Sequence, residues 1–332
     1  MGSPRALAGE IIDMAGRKVL IPDYPDRVFG AAPPVNVLLS VVAPEVMLGL
    51  NFPIPAEAAD FFPLAMRELP IVSVFGLSPQ INAEAVLTLK PDFALGWQSA
   101  LLNADRMEST FRRMGLPLVL VKMERLEDWP TALRFTGGLL GRAERAEMLA
   151  QDVETTLARL QTLRVNLDAA PKRRLRVYYA EGPDGLSTAC HASLRASAIE
   201  LAGGYNVRRC SPGTRSHGTE RIGLEEVLLL APDIIIAHDP AFPALARADS
   251  RWQHLAAVRE NRICLAPRWP HNWIDRPPSV MQALGAQWLA NLLYPQDFPL
   301  DLKAETRRFY QLFLGVPIND AQLESLLLAS CV

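Results

Sequence analysis

One pattern occurs twice in this chain, and it constrains the fold more than any other feature. Ile81 to Trp97 read INAEAVLTLKPDFALGW, and Ile222 to His238 read IGLEEVLLLAPDIIIAH. Isoleucine, glutamate, valine, two leucines, proline and aspartate recur in the same order at the same spacing. Asn82 or Gly223 is placed to begin a short helix. Val86, Leu87 and Leu89, or Val227, Leu228 and Leu230, then fall on its buried side. Pro91 and Pro232 stop the helix, because proline lacks an N–H and clashes with the preceding turn. The apolar run after each aspartate reads as a strand buried on both faces, as in a parallel sheet. Two such units predict two similar α/β halves. Such halves usually enclose a cleft, with ligands at the carboxyl ends of the strands. Trp97 and His238, the last residues of the two copies, therefore point toward a possible site.

The rest of the chain fits this plan. Glu10 to Pro25 reads as a hairpin around a Gly-centred turn, and IVSVFG and LPLVLVKM read as strands. Asn103 to Met114 is expected to be helical and to end at Gly115. Arg142 to Leu167 is the longest uninterrupted helical pattern, with Met148, Val153, Leu157, Leu160 and Leu163 recurring and no Gly or Pro inside it. LRVYYAEG opens the second half as a strand, and HASLRASAIELAGG reads as a helix. Arg251–Arg259 reads as a short helix. Ser279 and Asp301 are expected to cap later helices. The predicted organisation is an N-terminal α/β lobe (1–141), a spine helix (142–168) and a C-terminal α/β lobe with closing helices (169–332). The sheets are expected to be short and mostly parallel. One continuous helix is stiff, so small-angle scattering is expected to show little compaction when ligand binds.

Totals exclude several classes. The formal net charge of −2 opposes nucleic-acid binding. No apolar run is long enough to span a bilayer. MGSPRALAGE lacks the apolar centre of a secretion signal, which leaves a cytosolic protein or a mature chain whose leader has been removed. Cys190, Cys210, Cys264 and Cys331 form no CxxC pair, against zinc-ribbon and thioredoxin-like readings. No GxSxG, HExxH, Walker loop or GxGxxG stands in a strand–turn–helix context. A non-enzyme is the reading, with an enzyme acting on the same ligand as its rival.

DMAGRKVLIPDYPDRV, the two repeat copies, ELAGGYNV, WQHLAAVRENRICLAP and WIDRPPSVMQALGAQWLANLLYP occur in that order. On these segments the chain resembles the periplasmic substrate-binding proteins of ABC importers for ferric siderophores and cobalamin, the rigid-spine class. RRFYQLFLGVPINDAQLESLL is similar to the ending of the iron-siderophore branch. The resemblance implies two lobes joined by one long helix and a ligand held between them. It further implies a monomer exported to the periplasm and partnered by an inner-membrane ABC permease. Glutamates on each lobe dock that permease in the family, and Glu84 and Glu225 match them. The rival reading of each is a first-turn carboxylate set against the helix dipole.

Three loops supply candidate ligand contacts. Trp97 and Gln98 follow a buried strand, where a tryptophan is either a flat wall for a chelate or a core residue. Arg268, Trp269 and His271 combine a cation, an aromatic face and hydrogen-bonding groups; Trp273 reads as a plug beneath the last large helix. Arg208, Arg209, Arg215 and His217 crowd one loop, where a solvated surface is the alternative. Five scattered histidines show no metal-ligand spacing. No resident metal or cofactor is called for, and Fe(III) is expected to arrive inside an organic chelator. Nickel chelates, haem, cobalamin and molybdate-type oxyanions remain alternatives, all in the same transport role. In the periplasm a Cys190–Cys210 bridge is an expectation, with free buried cysteines as its alternative.

Overall fold

A computed structural model describes residues 8–72, 82–99, 104–169, 174–211 and 218–327 of the chain. The predicted strand IVSVFG lies largely outside them, as do Ile81, Arg215 and His217. The chain divides into two units, Met1–Glu154 with Leu312–Val316, and Thr155–Gln311 with Pro317–Val332.

In the first unit, β1 (Ala8–Ile12) and β2 (Lys18–Pro22) pair antiparallel. Their turn uses Gly16 at φ +80°, a left-handed conformation open to glycine. The hairpin is pinned through buried Asp13, whose carboxylate accepts from the backbone N–H groups of Ala15, Arg17 and Leu120. β3 (Val28–Gly30), β4 (Phe93–Gln98) and β5 (Leu118–Lys122) form a parallel sheet in that order. The Ala104–Arg113 helix packs Met107 and Phe111 beneath it.

In the second unit, β6 (Arg176–Ala180), β7 (Ser187–Thr188), β8 (Tyr205–Asn206), β9 (Glu220–Arg221), β10 (Ile234–Ala237) and β11 (Ile263–Leu265) follow. The main sheet has the order β11-β10-β6-β8, all parallel, and β7 pairs antiparallel with β9. The fold is therefore α/β with short, mainly parallel sheets, as the sequence predicts.

The repeat is a latch in both units. The Asn82 side chain caps the Ala83–Thr88 helix by accepting from Ala85 N–H at 3.0 Å. Asp92 Oδ2 accepts from the N–H groups of Asp26 and Arg27, at 3.0 Å each. Arg27 donates in turn to the carbonyls of Leu89 and Lys90, at the end of that helix. In the second copy Asp233 Oδ2 accepts from Arg176 N–H at 2.7 Å, and Arg176 donates to the carbonyls of Leu230 and Ala231. Each aspartate thus ties the start of one strand to the turn before the next. Each arginine satisfies carbonyls that a helix end leaves unpaired. Val86 and Val227 are fully buried, whereas Leu87 is 43% exposed; one turn and a half of helix has room for only one strongly buried face.

The predicted spine is an unbroken helix, Ala143–Ala169, and the division between units falls inside it. Val153, Leu160 and Leu163 are buried, but Met148 is half exposed and Leu149 takes the buried position.

Some boundaries differ from expectation. Arg251–Arg259 breaks into a 3-10 turn (Trp252–His254) and a helical turn (Ala256–Arg259), with Leu255 extended between them. The segment after His191 is likewise a 3-10 turn (Leu194–Ala196) followed by Ser197–Leu201. Asp301 caps its helix through Ala304 N–H. Ser279 does not: the Met281–Leu293 helix starts from Val280 with no side-chain cap. Gly285 on that helix is obligatory, because an added Cβ would meet the Trp273 carbonyl oxygen at 2.0 Å.

Candidate functional site

The second unit gathers charge at the carboxyl ends of β6 and β10, where open parallel sheets carry their sites. Glu181 follows β6 directly. Its backbone exchanges two hydrogen bonds with Ser187 around a turn that uses Gly182 and Gly185 at positive φ. Tyr178 closes the turn by donating to the Gly185 carbonyl at 2.8 Å. His238 follows β10, and its N–H donates to Ala180 O. Asp275 and Arg276 come from the loop after β11, which is closed on itself through Trp273 N–H to Pro267 O and Ile274 N–H to Asn272 Oδ1.

These side chains form one cluster. Asp275, fully buried, accepts from Tyr179 Oη at 2.8 Å and from Arg195 Nη1 at 3.2 Å. Arg276 forms an ion pair with Glu181 Oε2, lies 3.6 Å from Asp275 and sits 3.4 Å from His238 Nε2. Burial pushes the Asp275 carboxyl up, against the pull of His238, the Tyr179 hydrogen bond and Arg195. Burial also raises the Tyr179 phenol, helped by the Asp275 charge, and lowers the Arg276 guanidinium.

The layering decides what the cluster offers. The carboxylates are beneath, with Glu181 1% and Asp275 0% exposed. Above them the side chains of Arg195, Arg276 and His238 are 31%, 37% and 22% exposed. Solvent therefore meets the Arg195 and Arg276 guanidiniums, held by buried acids, with the His238 imidazole beside them. Such pre-set planar donors suit an anion. The Arg195 N–H donates to Ser193 Oγ at 3.3 Å, and Cys190 and Cys210 are bridged with a Cα–Cα distance of 5.1 Å. The expected disulfide is thus present. His191 accepts from Cys210 N–H beside it through Nδ1, rather than beginning a helix.

The candidates from sequence fall as follows. Arg268 lies over the Trp269 ring at 4.6 Å, both partly exposed. The Trp269 carbonyl accepts from Trp273 Nε1 and from the Tyr310 hydroxyl. Trp273 is fully buried, the plug that was expected. His271 is buried, and burial holds its imidazole down to about 4. Trp97 and Gln98 end β4; the tryptophan is only 5% exposed, and its Nε1 and Gln98 Oε1 are buried without hydrogen-bond partners. Arg208 and Arg209 are committed elsewhere, to Glu220 with Glu226 and to Glu200 respectively. Arg215 and His217 lie outside the described residues. Glu84 and Glu225 are exposed and occupy the same place, the second residue of the repeat helix, in each unit. No group of three or more metal-ligating side chains occurs among the described residues.

Sequence reasoning missed Glu181, Arg195, Asp275 and Arg276. A signal existed for one of them. Glu181 ends the strand LRVYYAEG at the place that His238 takes after IIIA, so the rule that singled out His238 applies to it equally.

A family model described as periplasmic binding protein matches residues 59–268. The chain belongs to the periplasmic binding protein family. The ABC transporter solute binding protein from Sulfurospirillum deleyianum is 31% identical. It superposes with a TM-score of 0.87 over 96% of this chain and 98% of its own. The molybdate-binding protein MolA of Haemophilus influenzae is 27% identical over 93% of this chain and 92% of its own length. A vitamin B12-binding protein of Pectobacterium carotovorum is 29% identical over 60% of this chain and 67% of its own. The periplasmic binding protein is thus of the ABC-importer type, a class of binding proteins rather than enzymes. None of its described helices is long and apolar enough to cross a membrane.

Proposed function

We propose that this periplasmic binding protein captures an anionic metal chelate of the ferric-siderophore type and delivers it to an inner-membrane ABC permease. The observation that carries the anionic ligand is the layered cluster, in which buried Glu181 and Asp275 hold Arg276 and Arg195 with their outer faces exposed. Charge-assisted bonds from fixed guanidiniums are stronger than neutral ones. A neutral corrinoid has no need of them, and a bare cation is repelled. The Arg268–Trp269 stack supplies the flat surface that an organic shell packs on. Export to the periplasm fits the bridged cysteines.

A second reading, a molybdate-type oxyanion, is favoured by one observation: MolA matches over almost the whole of both chains. The burial of Trp97 points the same way, since it takes one aromatic wall out of use.

The test is calorimetric titration of wild type, Arg276→Gln and Arg195→Gln with a ferric catecholate chelate, molybdate, cobalamin and free ferric ion. The expected result is tight binding of the chelate, weakened about tenfold or more in each variant, as for loss of a charged hydrogen bond. Tight binding of molybdate without the chelate transfers the assignment to the second reading. Chelate binding that ignores both substitutions sinks the site.

A further inference from the structure

Glu181 has a property that the anion reading does not use. Its Oε2 is taken by Arg276, while Oε1 is buried and has no hydrogen-bond partner among the described residues. The residue is 1% exposed. Its backbone is fixed on both sides by Ser187, and the Phe242 ring closes on Gly185 so tightly that an added Cβ there would lie 2.1 Å from it. Of these contacts, the Arg276 ion pair is the one that holds the carboxylate itself. A buried carboxylate oxygen left unpaired costs free energy that a partner would recover. As the carboxylate partner of Arg276 it offers an acceptor. Arg276, on the same cluster, keeps an exposed cationic face.

An acceptor set beside a cation discriminates among anions. A fully deprotonated oxyanion offers the arginines charge but offers Glu181 only repulsion. A ligand that carries an O–H or N–H beside its anionic group satisfies both. A site whose buried polar group needs a partner rejects analogues lacking it far more strongly than an apolar pocket rejects a missing methyl group. We infer that Glu181 is a specificity-determining residue of this site: its Oε1 accepts a hydrogen bond from the ligand, so the protein takes anions bearing a hydroxyl or N–H donor and rejects fully deprotonated oxyanions. The inference rests on the function proposed above and separates its two readings, since an organic chelate carries such donors and molybdate at neutral pH does not.

The experiment uses full-length wild type, Glu181→Gln and Glu181→Met, each checked by circular dichroism. The probes are a ferric tris-catecholate with hydroxyl and amide donors on its scaffold, the same chelate methylated at those donors, and molybdate. Wild type is expected to bind the first chelate about tenfold or more tightly than the second, and to ignore molybdate. In Glu181→Met that gap closes and molybdate affinity rises, because Arg276 loses its counter-charge. If Glu181→Met does not fold, a narrowed gap in Glu181→Gln carries the same meaning. Equal binding of both chelates by all variants overturns the role of Glu181 and leaves the proposed function standing. Tight wild-type binding of molybdate alone, or of none of the probes, overturns both.

Discussion

His271 shows how strongly single residues here are set by their surroundings. The sequence offers it as a ligand contact, but burial holds its imidazole down to about 4, so it is neutral at neutral pH. An unfolded histidine titrates near 6.5 and binds its proton more readily than the folded one. The stability that neutral His271 contributes is therefore whole above about pH 6.5 and is lost as pH falls toward 4. At full loss it amounts to about 3 kcal/mol. Thermal melts of wild type and His271→Gln between pH 4 and 7 are expected to diverge in slope, with the variant flatter on acidification. Parallel curves contradict the burial effect. The same scale explains why the site was only partly legible. His238 follows from the strand-end rule applied to the repeat. Asp275 stands 80 residues from Arg195 and 96 from Tyr179, and no local pattern announces such a meeting. For Arg208 and Arg209 the sequence leaves ligand contact and solvated surface both open, and the acids that pair with them, Glu220, Glu226 and Glu200, come from neighbouring elements.

At the level of elements the repeat was readable because proline, aspartate and helical spacing are local signals, and the strands they delimit occur where expected. What the repeat does was not readable. Asp92 and Asp233 bind backbone N–H groups 66 and 57 residues earlier, so their purpose appears only once the strands are parallel. Bonds from backbone N–H to a charged carboxylate contribute about 1.5–3 kcal/mol each. Replacing Asp233 by Ala is therefore expected to lower unfolding free energy by about 2 kcal/mol, read by urea denaturation. Asp92→Ala is expected to cost a similar amount, and the two effects to add, since the latches bind the backbone of different strands. A double variant no less stable than either single one contradicts the independence of the latches. The misplaced helix starts have an equally physical cause. Ser279 looks like a cap by type, but the helix begins two residues later, where Gln282 donates its side-chain N–H to the Ile274 carbonyl. The tertiary contact, not the local preference, sets the boundary.

For the whole molecule, the family membership fixes a transport role, and the repeat gives that role a candidate surface. Glu84 and Glu225 are exposed at equivalent places, and neither belongs to the charge cluster. Replacing both by Ala is expected to leave ligand affinity unchanged while abolishing uptake through the cognate permease in a reconstituted system. Normal uptake refutes the docking assignment. The central claim, capture of an anionic metal chelate, is tested most directly by native mass spectrometry of the protein purified from its own host. The account expects an added mass with the isotope pattern of iron within an organic chelator, lost in Arg276→Gln. A retained molybdate or cobalamin, or an iron chelate held equally well by Arg276→Gln, contradicts it.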